Sequence, residues 1–137
     1  MDRQPLPVVR MVVSRREADC GICALAMLTG RDYEDVLLAV DKVDSVAGKR
    51  GLWSTQIKKA AAILGMKLRT RRTFDLEVDS GILNVKFPTD EPEHAIFLKD
   101  GMVFDSDGLI WEVSDYLAAK QLTVGHLLVL ESGDPAR

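Results

Sequence analysis

Apolar residues follow two different rhythms along this chain. In the first half they recur at helical spacing. Cys20–Thr29 is almost wholly apolar, starts behind Asp19 (a good helix N-cap) and stops at Gly30. A helix that is apolar on every side belongs in a core. Tyr33, Val36, Leu37 and Val40 then form one stripe behind Asp32 as N-cap. Asp41–Gly51 is polar and Gly-punctuated, hence a loop. Ile57, Ala60, Ala61 and Leu64 make the stripe of a third helix, capped by Ser54 or Thr55 and closed by Gly65.

The second half reads as strands. Met66–Thr73 alternates apolar and basic residues, and Gly81–Phe87 is an apolar run stopped by Pro88. Thr89–Glu93 is an acidic loop. His94–Lys99 and Met102–Asp105 flank Asp100-Gly101, a strong signal for a two-residue hairpin turn. Leu109–Val113 is open to a further strand and Ser114–Lys120 to a helical turn or two. Leu122–Leu130 is the last strand and Glu131–Arg137 a polar tail. The Pro-punctuated entry arm, with the apolar stretch Val8–Val13, reads as an edge strand. Helices first and strands later mean an α+β fold: a mainly antiparallel sheet packed on a buried helix.

The chain has 137 residues, enough for a single domain, 1–137, with its own core. Eighteen basic against 21 acidic residues leave a net charge of −3, which argues against nucleic acid as a partner. No apolar run approaches a membrane span, and residues 1–13 lack a signal-peptide pattern. With only two cysteines there is no disulfide framework, and a cytoplasmic setting is expected.

Those two cysteines begin the candidate chemistry. Cys20 would occupy the first turn of the apolar helix, where unpaired N–H groups and the positive helix end favour a thiolate. The same N–H groups suit an oxyanion. Asp19 acts in the opposite direction. Cys23, one turn deeper, reads as a core residue. Of the two histidines, His126 lies within an apolar strand and reads as structural, whereas His94 opens a strand beside an acidic loop. If Asp100-Gly101 is a two-residue turn, Lys99 faces Met102, Ile96 faces Asp105 and His94 faces Asp107. Asp105 is then diagonal to His94, with Cα atoms ~7–8 Å apart and side chains within reach. Asp107 is opposite but lies where pairing frays near Gly108. A thiol, a histidine and an orienting acid suffice for attack on an acyl carbon.

At these residues the chain resembles a known family. The run Asp19-Cys20-Gly21-Ile22-Cys23-Ala24-Leu25-Ala26-Met27-Leu28 resembles the nucleophile helix of papain-like cysteine peptidases. It is closest to the bacterial peptidases that process bacteriocins after double-glycine leaders. Gly30–Val36, Gly51–Gly65, Gly81-Ile82-Leu83, His94–Leu98 and Val103-Phe104-Asp105 are similar to later segments of that family, so the likeness spans residues 14–107. It implies a papain-like fold with Cys20 as nucleophile, His94 as general base and Asp105 as orienting acid. It implies a peptide or protein substrate and no cofactor. The family's oxyanion-donating glutamine is replaced here by Ser14, so the hole would rest on Ser14, a neighbouring arginine or the Cys20 N–H alone. In the plant-type register Cys23 would be the nucleophile, with Glu17 at the glutamine position. The bacteriocin enzymes are usually fused to an exporter, whereas this chain reads as a stand-alone version. Deamidation fits the same site.

Three other readings compete. A pseudo-peptidase would bind a peptide without cutting it. Cys20-Gly21-Ile22-Cys23 also has the spacing of thiol-disulfide oxidoreductases, though these place it after a strand within a βαβ unit. Zinc held by the two cysteines and two histidines is disfavoured by the position of His126. The basic positions Lys67, Arg69, Arg71 and Arg72 form a solvated strand face, with docking of an acidic partner or a second copy as the alternative.

Overall fold

A computed structural model describes residues 9–15, 17–43, 52–89 and 93–131. Among them the chain forms four helices and six strands. Helices α1 (Cys20–Thr29), α2 (Tyr33–Val43) and α3 (Ser54–Ile63) come first. Strands β1 (Leu68–Arg71), β2 (Gly81–Lys86), β3 (His94–Lys99), β4 (Met102–Phe104) and β5 (Ile110–Glu112) follow. Helix α4 (Val113–Lys120) and strand β6 (Thr123–Leu130) complete the order. The strands form one open antiparallel sheet in the order β1-β6-β2-β3-β4-β5. The expected α+β class and antiparallel sheet are therefore present.

The period-2 alternation of the strands divides the core in two. Ile82, Phe97 and Leu128 face α1, α2 and α3, whereas Leu83, Ile96, Leu98, Val103 and Leu127 face the other way, toward Tyr116 of α4. Helix α1 buries every residue from Gly21 to Met27, as its unbroken apolar run requires. Gly30 ends it in the left-handed conformation (φ 72°), its N–H bonded to the Ala26 carbonyl. The Asp100-Gly101 turn has positive φ at both residues (53° and 77°), the backbone that matches the twist of a tight hairpin. Lys99 pairs with Met102, Leu98 with Val103 and Phe97 with Phe104, the expected register.

Several local expectations are corrected. Residues 9–13 of the entry arm join no strand; Val9, Met11 and Val12 pack on the α1 side of the core instead. Trp53, rather than Ser54 or Thr55, is the N-cap of α3, because Gln56 Oε1 accepts the Trp53 N–H at 2.9 Å and helical backbone already begins at Ser54. Asp41–Val43, expected in the Asp41–Gly51 loop, belong to α2, and residues 44–51 lie outside the described set, as do residues 90–92 and those beyond Glu131. Helix α4 is a full eight residues. In the basic stretch Arg71 pairs with Asp79 at 3.5 Å and Lys67 lies 3.8 Å from Glu131.

β2 and β6 approach so closely at Gly81 that a Cβ there would overlap the Leu128 carbonyl, whereas one on Gly30 meets nothing. Gly81→Ala is expected to cost about 3 kcal/mol by overpacking between backbones, and Gly30→Ala only about 1 kcal/mol for its left-handed backbone. Thermal or denaturant unfolding of the two variants checks this ordering.

Candidate active site

The buried core of α1 places its first turn against the sheet, and Cys20 stands at that turn, half-buried. The Cys23 N–H closes the turn on the Asp19 carbonyl at 3.0 Å, while the N–H groups of residues 20–22 precede the helical ladder. His94 is the first residue of β3, so its ring lies at the end of the sheet. His94 Nε2 is 2.8 Å from Asp105 Oδ1. The Cys20 thiol lies close enough to the same ring for His94 to lower its pKa, and with Nε2 engaged by Asp105 the nitrogen left for sulfur is Nδ1.

Asp105 directly follows β4, one position beyond the last hairpin pair. The chain turns away there, with the Asp105 N–H on the Leu109 carbonyl and the Gly108 N–H on the Asp105 carbonyl. Its side chain is buried and fully employed. Oδ1 takes the His94 ring and the Ser106 N–H (2.7 Å), and Oδ2 accepts from the Tyr116 hydroxyl (2.8 Å). Asp107, the alternative acid, is exposed and accepts the Leu109 N–H at 2.9 Å; it serves the turn.

These contacts define the electrostatics. Burial alone would raise the Cys20 pKa, but the hydrogen bond and charge of His94, with N–H donors from Ala95 and Gly21, bring it below the ordinary thiol value. Burial would lower His94, yet the Asp105 hydrogen bond, then the Cys20 contact and the charges of both, push it up to about 10. Burial would likewise raise Asp105, and the His94 bond and charge, Tyr116 and the Ser106 N–H hold it below the usual carboxylate range. The three shifts favour a thiolate beside an imidazolium braced by a carboxylate. Cys23 is the opposite case. It is fully buried, and burial together with the charges of Asp19 and Cys20 pushes its thiol up to about 12.

Ser14 is drawn into the segment that precedes α1. Its hydroxyl donates to Asp19 Oδ1 at 2.6 Å, and its N–H bonds the Ser106 carbonyl at 2.7 Å, tying the entry arm to the turn that carries Asp105. Asp19 itself does not cap α1 through its side chain. The buried carboxylate faces backward and gathers the Ser14 hydroxyl, the Arg15 N–H (2.8 Å) and the Tyr33 hydroxyl (2.8 Å). Asp19 therefore shapes the segment leading into Cys20, which passes through a left-handed residue, Ala18 (φ 60°). Neither this role nor that of Tyr116 was read from the sequence. Both depend on partners 14 and 11 positions away, for which the chain has no local mark.

A cleft of about 720 Å³ opens at Cys20 and His94, on the sheet face beneath the start of α3. His126 also reaches it, and its Nε2 is 2.5 Å from Ser54 Oγ. Burial, with the nearby charges of Arg72, Lys58 and Lys86 and against that of Glu93, lowers the His126 pKa. Among the described residues no three His, Cys, Asp or Glu side chains converge as metal ligands, and no helix is long and apolar enough to cross a membrane. No protein-family model matches the chain, and no curated protein matches it.

Alkylation by iodoacetamide reports the thiolate. Modification of wild-type protein is expected to concentrate on Cys20 and persist below the pH at which an ordinary thiol is protonated. In His94→Ala the pH profile should move upward, since the main lowering contact is gone. Peptide mass mapping across a pH series checks both, and fast labelling of Cys23 would contradict the assignment. Tyr116→Phe leaves one Asp105 oxygen short of a donor, at an expected cost of about 1.5–3 kcal/mol in denaturant unfolding.

Proposed function

We propose that this chain is a papain-like cysteine hydrolase that cuts a peptide or amide bond through Cys20, His94 and Asp105. The observation that carries this reading is the His94 ring held between a thiol with a lowered pKa and a buried carboxylate. The α+β architecture, with Cys20 opening a buried helix and His94 opening a strand, agrees with the resemblance noted in the sequence.

The steps follow from the geometry. Cys20 Sγ attacks the carbonyl carbon, and the oxyanion forms beside the open first turn of α1, where the Cys20 N–H is the available donor. The C–N bond then breaks as His94 gives its proton to the departing amine, leaving a thioester. Water next loses a proton to His94 and attacks the thioester. The C–S bond breaks and the thiolate–imidazolium pair returns. Asp105 holds the ring and stabilises its positive form throughout.

A second reading draws on Ser14. With its hydroxyl directed at Asp19, the position that carries an oxyanion donor in the resembled family contributes none here, which favours a pseudo-peptidase that binds a peptide uncut. The redox reading has less support, since Cys23 is buried with a raised pKa and α1 follows a loop instead of a strand. Incubation with a diverse peptide mixture, read by mass spectrometry, separates these outcomes. A hydrolase gives cleavage that Cys20→Ala abolishes, that falls about 10³-fold or more in His94→Ala, and that survives in Cys23→Ser. Cleavage that survives in Cys20→Ala would overturn the assignment, and peptide retention without any cleavage would favour the pseudo-peptidase.

A further inference from the structure

The basic positions around β1 divide between the two faces of the sheet. Leu68 packs in the α1-side core, as does Leu128, the register partner of Thr70. Arg69 instead pairs with Val129, which packs in the α4-side core. Alternation therefore turns Arg69 and Arg71 to the α4 side, where Arg71 meets Asp79, and Arg72 to the α1 side. The same ladder, carried one residue past the Arg71–Leu127 pair, sets Arg72 opposite His126.

Between Leu83 and Val85 the β2–β6 register slips, so that two residues of β6, Gly125 and His126, oppose Asn84. Asn84 is in turn the partner of Ala95. Ala95, Asn84, His126 and Arg72 thus form one row across β3, β2, β6 and β1, starting beside His94. From the spacing of strands, His126 lies roughly 10 Å from Ala95 along this row and Arg72 roughly 14 Å. Ser54 opens α3 over the row with its hydroxyl 2.5 Å from His126, and Lys58, four residues on, shares that helix face. Lys86 stands two positions beyond Asn84, at the end of β2. The charges of Arg72, Lys58 and Lys86 all bear on His126, and Glu93 opposes them. Glu93 lies 3.6 Å from Lys86. Lys58 and Arg72 have no carboxylate within ion-pair distance among the described residues. A chain of net charge −3 thus keeps two cations unpaired around His126.

We propose that Lys58 and Arg72 dock an acidic segment of the polypeptide substrate, its carboxylate seated beside His126, about three to four residues from the bond that is cut. The hydrolase reading is needed here only to call the docked segment a substrate. An extended chain leaving Cys20 along the row covers the distance to His126 and Arg72 in that number of residues, at roughly 3.3 Å each. Attraction between exposed charges of this kind acts on capture and register more than on the chemical step, and salt weakens it.

Two pairs of alkylating peptides test this on the full chain. Acetyl-Glu-Glu-Gly-Gly chloromethyl ketone and its Gln-Gln counterpart extend from the sulfur on the acyl side. Bromoacetyl-Gly-Gly-Glu-Glu amide and its Gln-Gln counterpart extend the other way. Each alkylates the thiolate with loss of halide, and intact mass gives the rate. In at least one pair the glutamate probe is expected to modify Cys20 about tenfold faster than its glutamine twin at low salt. That ratio should collapse in Lys58→Gln/Arg72→Gln and persist in Arg69→Gln, which removes a charge from the opposite face. Equal rates within both pairs, or a ratio that falls as far in Arg69→Gln, would overturn the proposal. Docking is also read without the thiol. In Cys20→Ala, acetyl-Glu-Glu-Gly-Gly amide should raise the His126 pKa seen by NMR, because a carboxylate bound beside the ring favours its charged form. The glutamine peptide should not. Inorganic phosphate as effective as the glutamate peptide would make this a phosphate site and contradict the assignment to an acidic segment. The hydrolase reading is scored separately by iodoacetamide: if its rate at Cys20 ignores His94→Ala, that reading fails whatever the glutamate probes do.

Discussion

The His94 ring, held at the end of a strand with Asp105 on one nitrogen and the Cys20 thiol at the other, is the interaction on which the account depends. Its geometry is inherited from the β3–β4 hairpin. Lys99 pairs with Met102 because Asp100-Gly101 adopts a two-residue turn, and from that register Asp105 falls diagonal to His94. A slip by one residue would turn the carboxylate to the opposite face. Tyr116 and the Ser106 N–H then occupy the rest of the carboxylate, so its orientation is set from several directions. A buried acid with its lone pairs assigned in this way stays ionised and keeps the ring charged.

The thiol arrives by a different route. Helix α1 is buried because nearly all its residues are apolar, and burial delivers its first turn to the sheet without any need for polar anchoring in its body. The polar anchoring comes just ahead of it. Asp19 gathers Ser14, Arg15 and Tyr33, drawing the entry segment and α2 around the residue before Cys20. The hydroxyl at position 14 is absorbed into this structural network. The same contacts that shape the approach to Cys20 thus hold the Ser14 hydroxyl on Asp19.

Features governed by neighbours close in the chain were legible in the sequence. The apolar run of α1, the stripes of α2 and α3, the Asp-Gly turn and the reach from His94 to Asp105 all follow from residues close together in the chain. Features governed by distant pairing were not. The insertion of β6 between β1 and β2 has no local signature, and the bulge at which Gly125 and His126 of β6 oppose Asn84 of β2 arises only once those strands meet. His126 reads as a core residue because its neighbours Leu127, Leu128 and Val129 are buried, yet at the bulge its ring is directed at Ser54. The apolar entry arm has the composition of a strand but joins no ladder, because its side chains fill the α1 side of the core. Trp53 took the capping place expected of Ser54 because Gln56 reaches back to its N–H.

The most direct test of the central claim is the protonation state of the His94 ring, read by nitrogen NMR of histidine-labelled protein across a pH series. A thiolate–imidazolium pair braced by Asp105 predicts a doubly protonated ring that persists above neutral pH toward about 10, and that loses its proton at lower pH in Cys20→Ser. A ring already neutral at pH values near its ordinary pKa, and indifferent to the loss of the Cys20 sulfur, would contradict it.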